Sequence, residues 1–402
     1  MRENQVYEDL LRLPEITVTS VETTPEAIAI YCESKFSQAH CPLCLKPCSS
    51  INQSYERTLR DLSISGRRVT LHLTTCQFLC PDCDRFFYER FQLAETNAQM
   101  TRRYEDFVYK RCIGVELQYV VTQEDLCWKT VARIFDKGVR GDLAQHDLLA
   151  GVRALGIDEI ALKKGHGNFA CVLVNLDTGA VIDLLPDRRK EALIAYFEEL
   201  GADFCAGIEV FSSDLWAGYI RMGEAMFPNA TIVADRFHFF AHVQKAVDNA
   251  RKQLRRQFKD RAELKRIKWL LLKKRSRLNA EEKAQLDALF AQADYQVLKE
   301  AYWAKEQFRQ ILERPLTRAE AEQELARWQQ RAQATGNRFL GRFIKTFQKW
   351  KRYILNYFEG RYSNGIVEGI NNRIKLIKRR AFGYVNFDHF RQRVLIEFAG
   401  LH

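Results

Sequence analysis

No run of about 18 uncharged apolar residues occurs in these 402 residues, so no membrane-spanning helix is expected. The first residues, Met1-Arg2-Glu3-Asn4-Gln5, lack the apolar stretch of a secretory signal, and a cytoplasmic location is expected. Disulfides have little support either. The eleven cysteines are odd in number, most lie in apolar runs, and with no export signal a reduced compartment is the better reading. Clustered cysteines are then metal ligands. Acid is also short: 62 basic residues against 51 acidic ones leave a formal charge of +11. That balance points to a polyanionic partner, nucleic acid first, and says nothing about fold. What is present is ordinary for a globular protein, with 47% apolar and 28% charged residues, and the length allows two or more domains.

Residues 1–35 alternate in segments such as Ile16–Val21 and Ala27–Tyr31, which read as strands. Two knuckles follow, Cys41-Pro42-Leu43-Cys44 and Cys80-Pro81-Asp82-Cys83, 35 residues apart. Each supplies two thiolates, and together they fit a zinc ribbon with a structural Zn2+ in one tetrahedral site. Cys48 and Cys76 are spare candidates. The ribbon is assigned to residues 1–95. Residues 96–145 read as a helical DNA-binding domain: Tyr104, Val108, Cys112 and Val115 recur at helical spacing, and Thr122-Gln123-Glu124-Asp125 reads as a helix start. The segment Trp128–Phe135 would be a recognition helix presenting Lys129 and Arg133, if this is a helix-turn-helix rather than a generic helical linker.

The pattern then changes. Strands at 155–162, 169–174 and 180–185, joined by short turns, make a meander. A helix at 189–200, a strand at 208–213, a second helix at 216–227 and a short strand at 231–234 follow. The order β-β-β-α-β-α-β is that of a ribonuclease-H-like core, so the fold class is α/β (α+β). Its first part is assigned to 150–240. Residues 241–360 show almost no strand signal and read as an all-helical insertion, with 361–402 returning to the core. Between Arg251 and Arg275 lie twelve basic and two acidic residues, interleaved with Phe258 and Trp269. Such a run is either a solvated helix face or a phosphate-contacting surface.

Three acids stand out. Asp158 lies inside an apolar strand, Asp214 closes another, and Glu368 sits on a patterned helix. Two strand-borne aspartates and a helix-borne glutamate suit a site for two Mg2+, because magnesium prefers carboxylate and water, and paired ions clamp the attacking and leaving oxygens of a phosphodiester. Strand alternation turns Glu159 away from Asp158, so Asp158 is the preferred ligand. On the last helix Glu368, Asn371, Asn372 and Lys375 are read as one face and Ile366, Ile370, Ile374 and Ile377 as another. Lys375, Lys378, Arg379 and Arg380 extend a positive surface for DNA. Asp235 and His238 follow the fifth strand and either shape the site or form a polar pair at a helix start. Trp216 either stacks on a base or belongs to the core.

The segments Gly156-Ile157-Asp158-Glu159, Lys164-Gly165-His166, Ser213-Asp214-Leu215-Trp216, Ala234-Asp235-Arg236-Phe237-His238, Asn364-Gly365-x-x-Glu368-Gly369-x-Asn371 and Lys378–Tyr384 occur in this order. Together they resemble the bacterial insertion-sequence transposases of the ISL-three family, over nearly the whole chain. The resemblance implies a zinc finger, a helix-turn-helix and an Asp-Asp-Glu catalytic domain with an inserted helical domain. By motif match Asp158, Asp214 and Glu368 carry the catalytic roles, and Asp235 and His238 match an accessory signature. Leu45 stands where the family usually has glycine. The implied activity is metal-dependent cleavage and joining of double-stranded DNA, element ends and target, by a homodimer or higher homo-oligomer, nucleoid-associated when bound. The alternative is a non-catalytic sequence-specific DNA-binding regulator derived from such a protein.

Overall fold

The computed structural model describes residues 2–162, 169–258, 261, 263–381, 384 and 386–399. The Lys164-Gly165-His166 motif and its turn, and Phe382-Gly383, lie outside the described residues. Two compact units divide at Gln145/His146.

The first unit opens with a helix α1 (Arg2–Leu11), where alternating strands alone were expected. Strands β1 (Ile16–Thr23), β2 (Ala27–Ser34), β3 (Ala39–His40), β4 (Pro47–Cys48), β5 (Ile51–Ile64), β6 (Arg67–Cys80) and β7 (Arg85–Tyr88) follow. The main sheet runs β1-β2-β6-β5, with β7 also on β6. Alternation explains its one buried face: Ile28, Ile30 and Cys32 on β2 and Val69, Leu71 and Leu73 on β6 point into the same core. The long β5–β6 hairpin turns at Ser65-Gly66, both at positive φ (50° and 77°), the backbone that a tight two-residue hairpin needs.

Three helices complete this unit, α2 (Arg102–Cys112), α3 (Leu117–Glu124) and α4 (Trp128–Gln145). Thr101 caps α2, accepting from the backbone of Tyr104. The helix start read at Thr122 is wrong: Thr122 lies inside α3 and donates to the Gln118 carbonyl. Tertiary contacts decide this. Glu124 is buried, accepts from the Tyr104 hydroxyl at 3.0 Å and pairs with Arg111, so it closes α3 instead of opening the next helix. Asp125 then takes the left-handed conformation at φ 49° and turns the chain toward α4.

The second unit is built on β8 (Ala154–Ala161), β9 (Phe169–Asn175), β10 (Val181–Leu185), β11 (Val210–Ser213) and β12 (Thr231–Ala234), in the spatial order β10-β9-β8-β11-β12. The β8–β9 and β9–β10 pairs are antiparallel, and β8–β11 and β11–β12 are parallel. Helices α5 (Lys190–Leu200), α6 (Ala202–Gly207) and α7 (Ala217–Met226) connect the strands. This is a ribonuclease-H-like core. From β12 the chain leaves along α8 (Arg236–Gln257), passes through α9 (Glu263–Arg266), α10 (Lys268–Leu272), α11 (Ala280–Phe290), α12 (Gln296–Glu313) and α13 (Arg318–Ala334), and returns along α14 (Arg338–Gly360). Phe239, Phe308, Trp328, Phe343 and Phe347 form one aromatic core joining α8, α12, α13 and α14. Then α15 (Gly365–Arg380) packs on β8, and α16 (Phe387–Ala399) on β10.

Candidate active site

Register places the acids. Val210, Phe211 and Ser212 on β11 pair in parallel with Ala154, Leu155 and Gly156 on β8. Two further steps along that register set Asp214 beside Asp158. On the other side Ser213 pairs with Ala234, and the Asp235 amide donates to the Ser213 carbonyl at 2.9 Å. Three aspartates therefore stand at one level across three parallel strands, two of them just beyond the carboxyl ends. In open α/β sheets that is where ligands bind.

Asp158, Asp214 and His238 each offer a ligand atom within 4.8 Å of the others. His238 Nδ1 lies 3.0 Å from Asp214 Oδ2, while Asp214 Oδ1 is buried with no hydrogen-bond partner among the described residues. Burial, then the neighbouring charges of Asp158, Asp235 and Glu159, push the Asp214 carboxyl up to about 8. Burial first also raises Asp158. Crowded, desolvated carboxylates with an orphaned oxygen fit a cation better than they fit one another. The carboxylate-rich donor set suits a hard divalent ion.

Asp235 plays a different part. It caps α8, with Oδ2 accepting from the His238 amide at 3.1 Å, while Oδ1 accepts from the Asn364 amide at 2.9 Å. Asn364 Nδ2 donates to the Ile157 carbonyl at 2.9 Å, and Asn371 Nδ2 to Asp158 Oδ2 at 2.7 Å. One helix is thus riveted at two points to the strands that hold the aspartates. Close approach makes this possible: a Cβ on Gly365 would lie 2.9 Å from the Phe237 ring, and one on Gly156 would lie 2.6 Å from Leu176 and 3.3 Å from Asn364 Oδ1.

Glu368 lies between the two rivets, one turn from each, and is exposed. Its carboxylate is outside the 4.8 Å set. Three residues before Asn371 is a rise of about 4.5 Å, so its backbone stands one turn from a residue that touches Asp158. The faces of α15 differ from those expected. Asn371 is buried with Val367, Ile370, Ile374 and Ile377, whereas Ile366 is 47% exposed. The amide is drawn inward by Asp158. Asn364 and Asn371, two turns apart, share this inward face. Glu159 turns the other way, accepting from Tyr219 at 2.8 Å and pairing with Arg188 at 2.6 Å. Trp216 is half-exposed, edge-on to Tyr219 at 4.7 Å between ring centroids.

The basic residues divide. Lys375 and Arg379 are exposed, but Lys378 donates to the Ala161 carbonyl at 2.9 Å and Arg380 pairs with Glu397. In the first unit Lys129 is exposed at the start of α4, while Arg133 pairs with Glu105 at 2.9 Å.

The two knuckles meet. Cys41, Cys44, Cys80 and Cys83 lie within 4.8 Å of one another, with Sγ separations of 3.9 Å for Cys41–Cys83 and 3.6 Å for Cys44–Cys80. A tetrahedron with zinc–sulfur bonds of about 2.3 Å has edges of about 3.8 Å, so the four thiols fit zinc. Cys48 and Cys76 are outside this set. Leu45 sits just after the first knuckle at φ 58°, the backbone that favours glycine.

A family model described as a transposase matches residues 155–394, and one described as the zinc-finger of transposase IS204/IS1001/IS1096/IS1165 matches 37–83. The transposase for insertion sequence element IS1001 of Bordetella parapertussis is 29% identical over 386 residues, 94% of this chain and 93% of its own length. The transposase for insertion sequence element IS1557 of Mycobacterium tuberculosis is 26% identical over 319 residues, 72% of this chain and 70% of its own length.

Proposed function

This chain belongs to the transposase family whose model spans residues 155–394, and from that premise we propose that it binds the terminal inverted repeats of an insertion sequence and cuts and joins DNA strands there. Asp158, Asp214 and Glu368 would hold two Mg2+ ions, with His238 beside them. The observation that carries the reading is the half-buried, crowded Asp158–Asp214 pair, side by side on adjacent parallel strands, with the Asp214 Oδ1 atom buried and unpartnered among the described residues.

When bound, the ions would supply Lewis-acid charge at the attacking and leaving oxygens of an in-line phosphoryl transfer. The chain's own residues do the positioning. Asn371 fixes the Asp158 carboxylate, and the backbone amide of Glu159 donates to its other oxygen at 2.7 Å. His238 orients Asp214, and Asp235 locks the starts of α8 and α15 against each other. Glu368, one turn from Asn371, would turn inward to complete the ligand set. Position and charge do the work, so no Ser or Tyr becomes joined to DNA. The four knuckle cysteines would hold a structural Zn2+, and the ribbon with the helices of the first unit would read the element ends through Lys129 and Arg133. Lys375 and Arg379 would face DNA near the catalytic site. Two ends must be paired, which calls for a homodimer or a larger assembly. We assign residues 1–95 to the ribbon, 96–145 to end binding, 150–240 and 361–402 to the catalytic core and 241–360 to the helical insertion.

The test uses supercoiled plasmid carrying candidate ends, with and without magnesium. The wild type should nick or cut at the ends only with the metal. Asp214→Asn should bind the ends and leave them intact. Retained cleavage by that variant removes Asp214 from the site, and a wild type that only shifts the band is a regulator.

A further inference from the structure

Among the described residues, the basic run from Arg251 to Arg275 separates into two chemically distinct sets. Six cations are paired with carboxylates of the same fold: Arg251 and Lys252 on Asp248, Arg261 on Asp294, Lys273 on Glu282, Lys274 on Glu313 and Arg275 on Asp287. Arg251 is buried and also donates to the Leu264 carbonyl at 2.8 Å, which folds α9 back against α8. Arg255, Arg256, Lys265, Arg266 and Lys268 have no acidic partner among the described residues, and the first four are exposed. They occupy the last turn of α8 and the two short helices that return along it. Beside them Trp269 is 69% exposed, with Lys268 Nζ 5.0 Å from its ring centroid. The first six each meet a carboxylate, although Lys252 and Lys273 stay exposed. The other five are left at the surface with no carboxylate partner among the described residues, and a polyanion is the partner their chemistry fits.

We propose that this end of α8 is a second DNA-contacting surface, which grips the phosphate backbone of the same duplex whose strand is cut. Distance defines where. Helix α8 starts just after its cap Asp235, beside the catalytic cluster, and runs 22 residues. Arg255 and Arg256 therefore stand roughly 30 Å from the aspartates. At about 3.4 Å per base pair, the surface meets the duplex about nine base pairs from the scissile phosphate. The contact carries no sequence information. It fixes register and holds the duplex in line with the metal ligands. The inference rests on the transposase reading above, because it needs DNA at the catalytic aspartates.

Two matched pairs of substitutions test it in the full chain, with no divalent cation present so that nothing is cut. Arg255→Gln/Arg256→Gln and Lys273→Gln/Lys274→Gln each remove two charges. The first pair should flatten the dependence of log affinity on log salt by about 1.8 for duplex carrying the element end, and the second by less than half of that. Lys265→Gln/Arg266→Gln should behave like the first pair. Hydroxyl-radical footprinting should show protection about nine base pairs from the cut site, lost in Arg255→Gln/Arg256→Gln and Lys265→Gln/Arg266→Gln and kept in Lys273→Gln/Lys274→Gln. Equal slopes for the two kinds of pair, or a footprint unchanged in Arg255→Gln/Arg256→Gln, overturn the proposal and leave the catalytic reading standing. A wild type that binds no duplex at any salt concentration overturns both.

Discussion

Asp214 carries the electrostatic cost of the site. Its carboxyl titrates at about 8, so between about pH 4 and pH 8 the folded chain keeps a proton that the unfolded chain releases. Stability without metal falls as pH rises through that window, and a divalent ion, which takes the proton's place, should restore it. Thermal unfolding of the metal-free protein with added Mn2+ should therefore show a larger upward shift at pH 8 than at pH 6; an equal shift would place the bound ion elsewhere. Asn371 acts through Asp158. Asn371→Leu should cut end cleavage by roughly 10- to 100-fold with end binding unchanged, as loss of an outer hydrogen bond to a metal ligand does. Cleavage at the wild-type rate would make Asn371 merely a packing residue. The aspartates were legible in the sequence because acids that interrupt or end apolar runs mark strands reaching a site. The facing of Asn371 was not, because a buried amide breaks the apolar stripe and its partner is 213 residues away.

Elements follow local rules until a long-range contact overrules them. The β-β-β-α-β-α-β order could be read because turn and strand signals alternate cleanly. The break at Glu124–Asp125 could not, since it depends on Tyr104 and Arg111 claiming the Glu124 carboxylate. Lys305 is another such claim. It is fully buried, donates to the Leu271 carbonyl at 2.6 Å and pairs with Glu306 at 2.7 Å, and burial pushes its ammonium down to about 8. Lys305→Met should destabilise the second unit by about 3 kcal/mol in urea unfolding, because Glu306 loses its nearest cation and the Leu271 carbonyl its donor. No loss would mean that the ammonium costs as much to bury as its contacts return. At the first knuckle the left-handed Leu45 should be improved by glycine. Leu45→Gly should stabilise the ribbon by about 1 kcal/mol, read as slower zinc release to a chelator. Faster release would show that the leucine side chain holds the turn.

At the scale of the whole molecule, net charge announced a polyanionic partner but not where it binds. Half of the twelve basic residues in the run from Arg251 to Arg275 serve the fold, and only the tertiary structure separates them from the rest. The two compact units, one with a four-thiol cluster and the other with a carboxylate cluster, fit a division between holding DNA and cutting it. That division depends on distant acids converging on metal, and anomalous diffraction from crystals of the protein with its end DNA and Mn2+ tests it most directly. Manganese peaks are expected between Asp158 and Asp214, with the Glu368 carboxylate swung in as a ligand. Peaks that avoid the two aspartates, or a Glu368 still turned out to solvent with both metals bound, would contradict it.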